Sequence, residues 1–254
     1  MASAANEREG YLFLSLLQAR VGGSMVRRVP DGDVGSLLDK RDPELARAMG
    51  LGEKATRVLV DLEETFDAGA LLARLDRGGF RALTYGEEGY PERLKLAPDP
   101  PPALFVGGEI SSESSVAIVG SRRATRSGLE TAGLLARELA ARWVCVVSGL
   151  AAGVDAAAHE GALAGGGRTV GVLGCGIDVT YPSKYKPPRG KVPCPSYGRD
   201  RGVAAGLASL TRLRRCGLCR GVLPATSRRG RSPKFVRWGS PVSRSRASEL
   251  LALP

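Results

Sequence analysis

The sequence is poor in the residues from which metal centres are usually built. Its 254 residues include a single histidine, His159, and five cysteines. One histidine cannot make a metal cluster alone, and Cys216 and Cys219 form a C-x-x-C pair without the second pair of a zinc site. An odd number of cysteines without a secretory context argues against a disulfide framework. We therefore expect no metal and no cofactor.

Long apolar segments are also missing. No run reaches the length of about eighteen apolar residues that a transmembrane helix needs. The segment after Met1, ASAANERE, lacks the pattern of a signal peptide. We expect a cytoplasmic protein with no membrane partner.

Acidic residues are scarce in one part of the chain only. Residues 186–254 hold 16 lysines and arginines against Asp200 and Glu249, a net charge of +14. Residues 1–185 hold 21 basic and 24 acidic residues, a net charge of −3. The total of +11 is therefore no evidence for nucleic-acid binding by residues 1–185. Binding there must come from local geometry.

Three segments share one pattern, in which a buried-strand run ends in a glycine turn. They are VAIVGSRRAT (116–125), VVSGLAAGVDAAAHEGAL (146–163) and GRTVGVLGCGIDVTYP (167–182). A strand, glycine loop and helix in succession present backbone N–H groups to an anion. Three such units in close succession predict a parallel sheet with a binding site along one edge.

The helix after the first unit is predicted from an apolar stripe that includes Leu129, Ala132 and Leu135. Ser127 and Glu130 have the spacing of a capping box, which places the start of the helix just after Gly120-Ser121-Arg122. A phosphate is favoured at such a helix start, and Arg122 can add a forked, charge-assisted contact. The alternative is a close-packed turn with a solvated arginine.

The three units resemble the motifs of the DNA-processing protein A (DprA/Smf) family in their order and in their residues. The resemblance rests on G-S-R, on S-G-L-A-x-G-V-D-x-x-A-H and on G-C-G-I-D-x-x-Y-P, and it includes ALTYGEEGYPERL (82–94) and DPPPALFVGGE (99–109). It covers roughly residues 80–185, and the combination is far more specific than a lone glycine motif.

The resemblance implies an α/β fold, a Rossmann-like parallel sheet preceded by a small helical, SAM-like domain. We assign residues 1–80 to the helical domain, 81–185 to the first part of the Rossmann-like DNA-binding domain and 186–254 to a basic irregular tail. Gly50-x-Gly52 between short helices could mark a DNA-contacting helix-hairpin-helix, but an ordinary turn is favoured. We expect the sheet to be incomplete, with an unpaired edge.

The function implied is binding of single-stranded DNA during natural transformation, with loading of the RecA recombinase and no enzymatic activity. In the family the G-S-R arginine contacts DNA phosphate, and the family forms homodimers. The predicted DNA-binding residues all lie in the three glycine units: Gly120, Ser121, Arg122, Ser148, Gly149, Gly153, Asp155, Gly174 and Gly176. RecA loading and dimer formation are expected to be lost here with the missing half of the sheet.

Two enzymatic functions are the alternatives to DNA binding. Asp155 and His159 share a helix face, and with Ser148 or Cys145 they could suggest a hydrolase triad. No G-x-S-x-G elbow is present, so we favour a local Asp155–His159 pair that fixes the loop. The other alternative is a Rossmann-like nucleotide-binding enzyme of the phosphoribohydrolase type, whose P-G-G-x-G-T-x-x-E motif is absent. An inactive fragment is a third possibility.

Residues 186–254 differ in kind from the rest. The family segment F-P-x-R-N-R-x-I-A-G-L is only echoed in YGRDRGVAAGL (197–207), and the following V-V-V-E-A strand is missing. Arg214-Arg215-Cys216-Gly217 can be encoded as CGT-CGT-TGT-GGA, which one base later gives Val-Val-Val and then Asp or Glu. We interpret this region as out of frame from a point near residues 186–210. The alternative is a native basic tail with Arg-Ser alternation that binds nucleic acid.

The frameshift hypothesis predicts that another reading frame of the gene encodes the family segments that residues 186–254 lack. A one-base correction should restore an R-N-R segment and a Val-rich strand, because the charge and the periodicity both change abruptly after residue 185. Translation of the gene in three frames across residues 180–254 checks this. If no frame contains such a pattern, the basic tail is native.

Overall fold

The computed structural model describes residues 4–29, 32–38, 43–110 and 114–173, together with three short strands at 203–208, 221–225 and 236–237. The first region is helical, as the sequence predicts. It contains α1 (Ala4–Val21), two 3-10 turns (Val26–Arg28 and Gly35–Leu38), α2 (Pro43–Ala48), α3 (Glu53–Thr65) and α4 (Ala68–Arg77). Their apolar faces share one core that includes Phe13, Leu14, Leu17, Leu59 and Leu62. The SAM-like assignment stays a prediction.

A small antiparallel sheet connects the helices to the main sheet. Its strands are β1 (Arg81–Thr84) and β2 (Ala103–Val106), with the short helix α5 (Glu92–Lys95) between them. Tyr90 is buried and its hydroxyl donates to the Pro101 carbonyl at 2.7 Å. Apolar side chains of this segment and of the main sheet form one core, which includes Leu83, Leu94, Leu104, Val147 and Val172. The small sheet therefore covers one face of the main sheet.

The main sheet is built from the predicted strand–helix units. In chain order they are β3 (Ser115–Gly120), α6 (Arg126–Ala140), β4 (Cys145–Ser148), α7 (Val154–Ala164) and β5 (Thr169–Leu173). β4 pairs in parallel with both β3 and β5. Ile118 and Val146 meet the alanine faces of α6 and α7 on the other side of the sheet. Buried strands with apolar residues on both faces are typical of a parallel α/β sheet, so the predicted fold class is confirmed.

Three further strands lie within residues 186–254. β6 (Val203–Ala208) pairs in parallel with β5, and β7 (Gly221–Ala225) pairs in parallel with β3. β8 (Val236–Arg237) is antiparallel to β7, which gives the strand order β6-β5-β4-β3-β7-β8. The structure thus differs from the expected irregular tail at these segments, and the edges of β3 and β5 are paired. An open edge offers backbone N–H and C=O groups that another segment can satisfy whatever its side chains. The remainder of 186–254 lies outside the described residues.

Helices α6 and α7 cross at close range through two glycines. A Cβ atom added at Gly161 would overlap the Gly133 carbonyl group, whereas a Cβ at Gly133 would make an ordinary 3.5 Å contact with the Ala157 carbonyl oxygen. The contact between the two helices therefore requires glycine at position 161 only.

Among the described helices, none combines the length and the apolar character that a transmembrane helix requires.

The asymmetry between Gly133 and Gly161 predicts opposite effects of two matched substitutions. Gly161→Ala should lower the free energy of unfolding by about 1–3 kcal/mol, because the helices must separate to admit the methyl group. Gly133→Ala should be neutral or stabilising by up to about 1 kcal/mol, since alanine is the better helix former. Urea unfolding followed by circular dichroism measures both, and equal effects would contradict the described crossing.

Candidate nucleic-acid interface

The first glycine loop presents two exposed arginines at the carboxyl end of β3. Arg122 and Arg123 lie in the turn that leads into α6, and both are exposed. The turn is closed locally, because the Ser121 hydroxyl oxygen accepts a hydrogen bond from the Arg123 N–H at 3.1 Å. Gly120 and Ser121 are also exposed. Three of the predicted binding residues therefore lie together at the surface of this edge.

The start of α6 differs from the prediction in its capping residue. Thr125 is the N-cap, and its hydroxyl oxygen accepts from the Gly128 N–H at 3.2 Å. The expected Ser127–Glu130 capping box is wrong, because Ser127 already lies inside the helix and Glu130 instead pairs with Arg126 at 2.8 Å. Thr125 takes the cap because it has the extended backbone that an N-cap needs.

The second glycine loop packs directly against the first. Gly153 has a φ of +90°, and a Cβ atom there would overlap the Ser121 carbonyl oxygen and the Arg122 backbone. The Val154 N–H donates to the same Ser121 carbonyl at 3.2 Å. Leu150 adds a second left-handed residue, with a φ of +54°. Loop 120–125 and loop 149–153 therefore form one unit, held by backbone contact that only glycine at 153 permits.

Ser148 lies below this surface, at the end of β4. It is fully buried, and its hydroxyl donates to the Ile118 carbonyl oxygen at 2.6 Å. The bond ties the ends of β3 and β4 together. We therefore expect Ser148 to support the site, since a direct contact with DNA needs an exposed hydroxyl.

Asp155 lies in the first turn of α7, where its carboxyl group bridges the two loops. The carboxyl group lies near the backbone N–H groups of Gly120, Gly149 and Ala151, and it also lies near the Ser148 hydroxyl. The side chain is buried. Burial raises the pKa of Asp155 above its ordinary value, although these N–H and hydroxyl groups favour the carboxylate and act against that rise.

His159 belongs to the layer between α7 and the sheet. Its Nδ1 lies 2.6 Å from the Thr169 hydroxyl oxygen, which itself donates to the Val146 carbonyl at 2.7 Å. Because the threonine proton is used in that bond, Nδ1 carries the proton and donates. His159 is fully buried, and burial lowers its pKa to about 4, so the ring is neutral at physiological pH.

These contacts decide between the two interpretations of the Asp155 and His159 positions. A hydrolase triad requires the Ser148 hydroxyl to bond a histidine, but Ser148 donates to Ile118 and His159 donates to Thr169. The predicted Asp155–His159 pair is also not the element that fixes the loop. Asp155 does so through Gly120, Gly149 and Ala151, because the first turn of α7 faces the loops and the next turn faces β5.

The third predicted unit lies outside the described residues from position 174 onward, which includes Gly174 and Gly176. Within the described residues, no three histidine, cysteine, aspartate or glutamate side chains lie close enough together to bind a metal ion.

The sequence analysis missed Arg123 and Arg126, which are exposed beside Arg122. The spacing R-R-x-x-R in residues 122–126 was the available signal, because these positions leave the strand and enter the first turn of the helix.

The fold and the site together define a Rossmann-like α/β protein with two interlocked glycine loops at the carboxyl edge of its sheet. Residues 81–192 match the family described as DNA recombination-mediator protein A. The chain belongs to the DprA/Smf family. This match favours a DNA-processing protein over a nucleotide-binding enzyme of the phosphoribohydrolase type.

Individual relatives agree with this assignment. The DNA processing protein DprA of Streptococcus pneumoniae is 31% identical over 189 residues, which is 67% of this chain and 60% of that protein. Protein Smf of Escherichia coli is 36% identical over 116 residues, or 45% of this chain and 31% of that protein. The chain thus spans between about a third and three-fifths of these relatives.

A solved structure shows the same fold. The X-ray structure of DNA processing protein A from Streptococcus pneumoniae superposes with a TM-score of 0.63 at 24% identity, over 91% of this chain and 80% of that chain. The likeness establishes the architecture of the chain.

The buried His159 predicts a specific dependence of stability on pH. Its pKa is about 4 in the folded protein and about 6.5 when unfolded, so the unfolded chain binds the proton more tightly. The contribution of neutral His159 to the free energy of unfolding is therefore complete above pH 6.5, and it is lost as the pH falls towards 4. Between pH 7 and 5 the loss should be about 2 kcal/mol.

His159→Asn should remove this dependence, because the asparagine amide still donates to Thr169 but does not titrate. The comparison is of unfolding free energies at pH 7 and pH 5 for both proteins. Asp155 and the other acids are present in both, so their contributions cancel. The same pH dependence in the two proteins would contradict the assignment.

Proposed function

We propose that this chain is a DNA-processing protein that binds single-stranded DNA at the β3–α6 loop. The observation that carries the proposal is the pair of exposed arginines, Arg122 and Arg123, on a loop locked by backbone contact to its neighbour. A fixed loop backbone lowers the ordering cost of binding, which is then limited to the rotamers of the arginine side chains. Arginine suits phosphate because its planar donors form two parallel hydrogen bonds.

The local charge supports the proposal where the overall charge does not. Residues 120–130 contain Arg122, Arg123 and Arg126 against Glu130 alone, which pairs with Arg126. Residues 1–185 as a whole carry a net charge of −3. A phosphate backbone is therefore attracted to this edge by the loop itself, with help from the N-terminus of α6. Contacts of this kind fix position and carry no base preference.

The single-stranded form of the DNA, the cytoplasmic location and the place in natural transformation rest on the family resemblance. Binding without catalysis agrees with the buried and engaged states of Ser148 and His159. Loading of RecA and formation of a homodimer are implied by the family resemblance for a full-length member. We expect both to be impaired here, because the family places them largely on the second half of the sheet, whose sequence residues 186–254 do not reproduce.

Substitution of Arg122 tests the proposal. Arg122→Ala should weaken binding of a labelled single strand by about three- to tenfold and reduce the slope of log K against log salt by about 0.7, the value of one phosphate contact. Arg142→Ala is the matched control, because Arg142 follows the opposite end of α6 and is engaged with Glu138 at 2.7 Å.

Fluorescence anisotropy over a salt series separates the outcomes. The full chain with Arg142→Ala should keep the parent affinity and slope. If Arg122→Ala also keeps both, the β3–α6 loop is not the binding site. If the parent itself does not bind the strand, the proposed function fails.

A further inference from the structure

Three backbone N–H groups from the two loops converge on one buried point. They belong to Gly120 at the end of β3 and to Gly149 and Ala151 after β4. Each lies in a segment that leads from a strand towards a helix. Clusters of N–H groups in this position are the usual binding place for a phosphate in glycine-loop folds.

In this chain the convergent donors already hold an anionic group. The Asp155 carboxyl group is buried between the two loops and lies near all three N–H groups and the Ser148 hydroxyl. Asp155 is only 7% exposed, so little room is left for a second anion at the same donors. A phosphate placed there would also meet a carboxylate at close range in a poorly solvated site.

We propose that Asp155 is the positioning residue of the DNA site, an internal anion that occupies the phosphate position between the loops and directs DNA phosphates outward to Arg122 and Arg123. The proposal rests on the proposed function, which it deepens. Gly120 directly precedes the Ser121-Arg122 turn, and Ala151 precedes Gly153, which packs on that turn. The carboxylate therefore sets the orientation of the arginine loop from beneath. The same carboxylate excludes free nucleotide phosphates, so the specificity is for a strand that lies across the edge of the sheet.

Chemical rescue tests the proposal. Asp155→Ala removes the carboxylate and leaves a space of its size, which formate can refill. In about 50 mM sodium formate the full-length variant should gain about 3–5 °C in Tm over the same ionic strength of sodium chloride. Its affinity for a labelled single strand should fall about tenfold in chloride and recover at least partly in formate.

The matched control is Glu160→Ala, which removes an exposed carboxylate from the same helix. Neither this variant nor the parent should respond to formate beyond the response to chloride. Equal responses of Asp155→Ala to formate and chloride would overturn the proposal, because a packing defect alone does not distinguish the two anions. The Tm readout needs no DNA, so it remains decisive if the parent does not bind a strand.

Asp155→Asn keeps the test valid if the alanine variant does not fold. The amide keeps the volume but offers one acceptor oxygen to three donors, and its NH2 group faces N–H groups that cannot accept. With far-UV circular dichroism unchanged, exchange of the Gly120, Gly149 and Ala151 amide hydrogens should be about tenfold faster than in the parent. Unchanged exchange and unchanged strand affinity in this variant would overturn the proposal.

Discussion

The close approach of Gly153 to the Ser121–Arg122 backbone is the contact on which the binding edge depends. Two loops from neighbouring parallel strands meet there with no side chain between them, and the Val154 N–H bonds the Ser121 carbonyl across the gap. This contact restricts the backbone of the first loop at Ser121 and Arg122. Without the contact from Gly153, Arg122 and Arg123 would lie on a turn that only solvent surrounds, as most exposed charged residues do.

Beneath that contact, several buried polar side chains bond to groups of the neighbouring strand–helix units. Ser148 joins the ends of β3 and β4, Asp155 joins both loops, and Thr169 joins His159 to the Val146 carbonyl. The Ser148–Ile118 bond joins the first two strand–helix units, and the bonds of Thr169 to His159 and Val146 join the second and third. The ionisable members show the cost of this arrangement, because burial raises the pKa of Asp155 and lowers that of His159.

Much of the site was predictable, and the failures have physical reasons. Gly149 and Gly153 lie in the loop between β4 and α7 that the motif predicts, and Arg122 lies in the turn that precedes the N-cap of α6. The capping residue was wrong because Thr125 and Ser127 both suit an N-cap, and the choice depends on where the backbone turns out of the strand. The Asp155–His159 pairing was wrong because helical spacing gives a shared face without saying which neighbouring element each residue meets. The strands at 203–208 and 221–225 were not expected, because strand pairing uses backbone groups that every sequence has.

The sequence by itself determined the succession of strands, glycine loops and helices, because apolar periodicity and glycine act locally along the chain. It also determined the family, since the motifs are specific in order and spacing. Only the tertiary structure decided which loop residues face solvent and which support them. Arg122 and Ser148 are both polar residues at strand ends, yet one is exposed and the other is fully buried. That difference arises from the packing of one loop on the next, which brings together residues about thirty positions apart.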